Sequence, residues 1–119
     1  MVYVDGFVIA VPKKNIATYR KISRIAGKVW MELGALSYVE CVADDVKKGK
    51  STSFPQAVKL KPGETVVFSW ITYKSRKSRD AIMKKVMKDE RIKMDMDNMP
   101  FDGKRMIFGG FKSILEFSV

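Results

Sequence analysis

The chain has no histidine and a single cysteine, Cys41, among its 119 residues. The usual zinc, haem-iron and non-haem-iron ligand sets therefore have no donors within one chain. Ser-His-Asp and Cys-His nucleophile systems are excluded for the same reason. An internal disulfide is impossible, which fits a reducing compartment. No apolar run approaches the roughly 20 residues of a membrane span. The opening segment, Val2 to Val11, lacks a basic leader and carries Asp5 in its middle, so it reads as a mature strand. The expectation is a cytoplasmic protein with no metal, no cofactor and no membrane partner. Acidic residues are also scarce. Against 23 Lys and Arg there are 13 Asp and Glu, a formal charge of +10.

What is present describes one soluble domain. Hydrophobic residues make up 46% of the chain and charged residues 30%, an ordinary globular balance at a length that suits a single core over residues 1–119. Val2 to Val11 is β-branched and aromatic and stops at Pro12, the pattern of a strand. Ile16, Tyr19, Ile22, Ala26, Val29 and Leu33 recur at helical spacing, and Gly34 closes the helix. Residues 35–43 return to strand character. Residues 44–53 read as a polar loop, and 54–60 as a short extended segment. Thr65 to Tyr73 is the clearest strand. Ser75 caps a second helix over about 76–88. Residues 90–98 hold another helical turn, 99–103 turn the chain, and 105–117 form a last strand. Gly109-Gly110 within it marks a bulge or a close backbone approach. The order β-α-β-β-α-β predicts a ferredoxin-like α+β fold, a four-stranded antiparallel sheet with two helices on one face.

Strand residues alternate between the two faces, and in three of the four strands both parities are apolar. Two helices cover one face. A wet apolar face of several hundred Å² is unfavourable, so the expected solution is a second copy packed sheet against sheet as a homodimer. Folding of segments 46–60 and 90–103 over the open face is the competing solution.

Several strings bear on identity: Tyr3-Val4-Asp5-Gly6-Phe7, Val39-Glu40-Cys41, Val66-Val67-Phe68-Ser69-Trp70-Ile71, Ser78-Arg79-Asp80 and Met99-Pro100-Phe101-Asp102-Gly103-Lys104-Arg105-Met106. Together they resemble the YbaA-like family of small bacterial proteins, a domain of unknown function. The resemblance covers nearly the whole chain. It implies a dimeric α/β barrel related to small monooxygenases, and it implies no established reaction. The high Lys and Arg content departs from the family pattern.

Asp5 and Glu40 are carboxylates inside strands, at similar heights on two parallel strands that flank a third. They are candidates to polarise or deprotonate a small ligand, provided they share a face. Asp102 and Arg105 are candidates for holding an anion through the guanidinium fork, or for locking a turn. Cofactor-free monooxygenases of the implied architecture use Asn, Trp and Tyr groups. Trp70, Tyr73, Tyr38 and Asn98 supply those residue types as ligand-binding candidates, with core packing the competing role for each ring. A cavity touching at least two of Asp5, Glu40, Trp70, Asp102 and Arg105 is the expected signature of a small-molecule site, with catalysis of monooxygenase, isomerase or lyase type. Arg20, Arg24 and Lys28 form an i, i+4, i+8 line on the first helix, and Lys84, Lys85 and Lys88 ride on the second. RNA or another polyanion on that basic face is the alternative, although no RNA-recognition, helix-turn-helix or KH pattern accompanies it. A structural dimer without chemistry is the third reading.

Overall fold

The computed structural model describes residues 1–93 and 99–119. Strand β1 spans Tyr3–Pro12, helix α1 Ile16–Glu32, β2 Ser37–Val42, the one-turn α2 Phe54–Ala57, β3 Glu64–Tyr73, α3 Arg76–Val86, the one-turn α4 Glu90–Lys93 and β4 Ile107–Lys112. The sheet order is β2-β3-β1-β4 and each neighbouring pair is antiparallel. This is the expected ferredoxin-like α+β sheet, with β1 and β2 parallel across β3. Among the described residues no helix is long and apolar enough to cross a membrane.

Register decides the faces. Asp5 pairs with Ile71, which pairs with Tyr38, while Phe7 pairs with Ser69, which pairs with Glu40. These rows carry one parity, and that parity faces the helices: Ile71 and Tyr73 join Val29, Ile82, Val86 and Ile92 in the main core cluster, with Tyr3, Phe7, Trp30 and Tyr38 packed against it. The other parity holds Val8, Ala10, Val66, Phe68 and Trp70. Its lower end is closed by α2 and the following turn, where Val58 packs on Ala10 and Val66 and Phe54 meets the Phe68 ring edge-on at 5.7 Å. Segment 54–60 thus covers one end of the open face as a capped helical turn and not as an extended strand. Ser53 accepts the Gln56 amide and Pro55 sits at the start of the turn, where its missing N–H costs nothing.

The last strand is shorter than its composition suggests. A 3-10 turn occupies Gly103–Arg105 and pairing ends at Lys112, so Ile114, Leu115 and Phe117 stand exposed beyond the sheet. Gly109 and Gly110 pair in unbroken register with Gly6 and Asp5. Gly110 is there for close approach, not for a bulge, because a Cβ would collide with the Tyr3 hydroxyl and lie 2.8 Å from the Arg79 guanidinium.

Helix α1 ends in a Schellman motif. The amide of Ala35 donates to the Trp30 carbonyl and that of Gly34 to the Met31 carbonyl, with Gly34 at φ +115°. Gly34→Ala places a Cβ in the left-handed region and is expected to cost about 1 kcal/mol. The midpoint of urea unfolding, compared with that of the parent chain, measures it.

Candidate functional site

Glu40 lies on edge strand β2 and points under α1. Tyr19, one turn into α1, donates its hydroxyl to Glu40 Oε1 at 2.7 Å, and Tyr38, two residues back on β2, donates to Oε2 at 3.0 Å. Each phenol is placed by packing. Phe101 meets Tyr19 edge-on at 5.7 Å, and Asn15 holds the Phe101 turn by donating to the Pro100 carbonyl at 2.9 Å. Tyr38 lies beside Trp30 and against α1, where Gly27 makes room: a Cβ there would sit 3.0 Å from the Tyr38 ring. Burial, and then the Glu40 charge, push both tyrosine hydroxyls well above the ordinary value, so both stay protonated donors at neutral pH.

This cluster floors a cavity of about 500 Å³ between α1 and the β2 edge, lined by apolar Ile16, Val42 and Val67 and by Ser23 and Glu40, with Arg20 and Arg24 from the exposed side of α1. The volume suits a small organic ligand.

Asp5 belongs to a separate network. It is buried, at 7% exposure. Trp30 Nε1 donates to the Tyr73 hydroxyl at 3.1 Å, and that hydroxyl donates to Asp5 Oδ2 at 2.9 Å. Arg79 of α3 approaches Asp5 Oδ1 at 3.8 Å and donates to the Tyr3 hydroxyl at 3.0 Å while lying over the Tyr3 ring. Burial raises the Asp5 pKa, opposed by the Tyr73 hydrogen bond and the Arg79 charge. The network ties α1 and α3 to β1 and β3.

Asp102 and Arg105 form a third arrangement. Arg105 makes a bidentate pair with Glu64 at 2.8 and 2.7 Å, bonds Asp102 at 3.1 Å and donates to the Lys59 carbonyl at 3.0 Å. Each of its three nitrogens donates to an acceptor of the same chain, an arrangement that locks the turn. The main partner, Glu64, belongs to the same chain.

Comparison with known proteins fits this architecture. Residues 2–103 match the family described as protein of unknown function DUF1428. The chain is 53% identical over 116 residues to the uncharacterized protein YbaA of Escherichia coli K12, covering 98% of this chain and 99% of that one, and equally so to YbaA of Shigella flexneri. The chain belongs to the DUF1428 family. Two solved structures share the fold at 12% identity: a candidate antibiotic biosynthesis monooxygenase from Nitrosomonas europaea, with TM-score 0.55 over 95% of this chain and 90% of that one, and Rv0793 from Mycobacterium tuberculosis, with TM-score 0.56 over 99% and 100%.

In this DUF1428 member the sequence candidates are therefore dispersed. Of Asp5, Glu40, Trp70, Asp102 and Arg105, only Glu40 lines the cavity, so the expected signature, a cavity touching at least two of the five, is not met. Asp5 and Glu40 share the helix-covered face, with Ser69 and Ile71 between their strands. Trp70 pairs with Gly6 and Val39 and faces the opposite side of the sheet. Tyr38 joins Glu40, Tyr73 joins Asp5, and Asn98 lies outside the described residues. The cavity's other polar groups, Tyr19 and Ser23, went unmarked because they occupy the apolar stripe of α1. A buried serine on that stripe, at 9% exposure, is the signal that a polar partner lies opposite. Among the described residues no three His, Cys, Asp or Glu side chains gather to hold a metal ion.

The Arg105 pair holds the Glu64 carboxyl down from the ordinary 4.5 to about 2. A carboxyl depressed on folding adds stability above pH 4.5 and loses it as pH falls toward 2. Glu64→Gln removes that contribution. Urea midpoints measured from pH 7 to 2 are expected to drop less steeply below pH 4.5 in the variant than in the parent. Parallel profiles would contradict the lock.

Proposed function

We propose that this protein is a homodimer that binds a small molecule in the cavity beneath α1, with Glu40 as the proton acceptor. The observation that carries the reading is Glu40 itself, held by two tyrosine hydroxyls at the floor of a cavity of about 500 Å³. Each phenol has one proton and directs it at Glu40. The carboxylate is fixed in place and its remaining lone pairs serve a ligand.

The chemistry such a group supports is proton removal, the entry to isomerisation and equally to cofactor-free oxygenation. The isomerase-like course has more support. Neither tryptophan lines the cavity, so the Trp, Tyr and Asn set expected for an oxygenated intermediate is not gathered among the described residues.

The dimer follows from the uncovered sheet face. Segment 54–60 closes only its lower end, leaving Phe68 43%, Ile107 45% and Phe111 64% exposed, and Ile114, Leu115 and Phe117 after the last strand are exposed as well. A second copy removes that surface from water at roughly 25 cal/mol per Å². Polyanion binding ranks second. Arg20, Arg24 and Lys28 are exposed along α1, but the first two also line the cavity mouth.

Phenol, an uncharged donor, tests the site. Titrated into labelled protein, it is expected to move the amide signals of Ser23, Tyr38 and Glu40 with a dissociation constant on the order of 1 mM. Glu40→Gln is expected to weaken binding about tenfold, the loss of a charge-assisted hydrogen bond. Shifts scattered away from the cavity, or affinity unchanged in a folded Glu40→Gln protein, overturn the reading.

A further inference from the structure

We propose that the ligand is a small organic acid bearing a hydrogen-bond donor on a compact apolar body, its donor seated on Glu40 and its acid group held by Arg20 and Arg24. The proposal rests on the cavity reading above and names the class of molecule that the cavity selects.

The floor offers acceptors. Both tyrosine protons are directed at Glu40, so the cluster turns carboxylate and phenol lone pairs and a negative charge toward the cavity. An O–H or N–H of a ligand finds acceptors there, and the Ser23 hydroxyl lines the same cavity. The mouth offers the opposite. Arg20 and Arg24 are one turn apart on α1, both line the same cavity as Glu40, and both are exposed.

These two arginines differ from the others of known role. Arg79, Arg91 and Arg105 are paired to carboxylates. Among the described residues no ion pair engages Arg20 or Arg24. Their guanidinium forks suit a carboxylate in bidentate geometry.

Ile16, Val42 and Val67 line the same cavity and cover an apolar body. Charge gives the same answer. Two guanidinium groups and one carboxylate leave the site at +1, and a monoanion neutralises it. The three kinds of lining group match a ligand that carries a donor, an apolar body and an anion.

Three probes separate the parts: 4-hydroxybenzoate carries donor and acid, phenol the donor alone, and benzoate the acid alone. Affinities are read from the amide shifts of Ser23, Tyr38 and Glu40. The expected order places 4-hydroxybenzoate about tenfold tighter than either fragment. Arg20→Gln and Arg24→Gln, both on the exposed side of α1, are expected to remove that advantage and leave phenol unchanged, and Glu40→Gln to weaken phenol and 4-hydroxybenzoate but not benzoate. If 4-hydroxybenzoate binds no tighter than phenol, the acid half of the proposal falls and the cavity reading survives. Benzoate as tight as 4-hydroxybenzoate overturns the donor half. If neither phenol nor 4-hydroxybenzoate shifts the cavity amides, both the proposal and the reading beneath it fail.

Discussion

A sheet with two apolar faces in a chain that fully covers only one is the constraint on which the rest depends. The helix-covered parity carries Tyr3, Phe7, Ile9 and Val11 in β1, and any polar group caught in that layer must find a partner or lose its hydration without return. Asp5, Ser23, Glu40 and Tyr73 are such groups. Asp5 and Tyr73 solve the problem entirely inside, through Trp30 and Arg79, and in doing so bind both helices to the sheet. Glu40 solves it with two tyrosines at the sheet edge, where the space between α1 and β2 stays open. One physical demand thus produces a structural tie in the first case and a carboxylate lining an open cavity in the second.

The excess of positive charge divides along similar lines. Arg79 is half-buried against Asp5 and Tyr3, Arg105 fastens the turn after Pro100 to Glu64, and Arg91 draws together Glu32 and Asp89. These are clamps between elements distant in sequence. Arg20 and Arg24 stand on the exposed side of α1 and line the cavity.

Much of the fold was legible because its signals are local. β-branched runs gave the strands, three- and four-residue spacing gave α1, and Gly34 marked a helix end whose geometry needs a positive φ. The strand pairing followed from element order and crossover handedness. The site was less legible. With both parities of β1 and β3 apolar, alternation alone could not say that Asp5 and Glu40 face the helices while Trp70 faces away; the pairing register decides it. Tyr19 passed as a core position on the α1 stripe, and Ser23 between its apolar members was not singled out. Glu64 lies 41 residues from Arg105, a separation that no local pattern bridges, so the lock was placed with Asp102 alone. The last strand was read long because Ile114, Leu115 and Phe117 are apolar, although no strand of the same chain reaches them.

That tail and the exposed Phe111 and Phe68 rings of the uncovered face give the same reading as the sheet itself: one chain does not cover what it makes. Sedimentation velocity at micromolar concentration addresses this most directly. The account predicts one species of twice the 13.6 kDa chain mass. A single well-behaved species at the mass of one chain would contradict it.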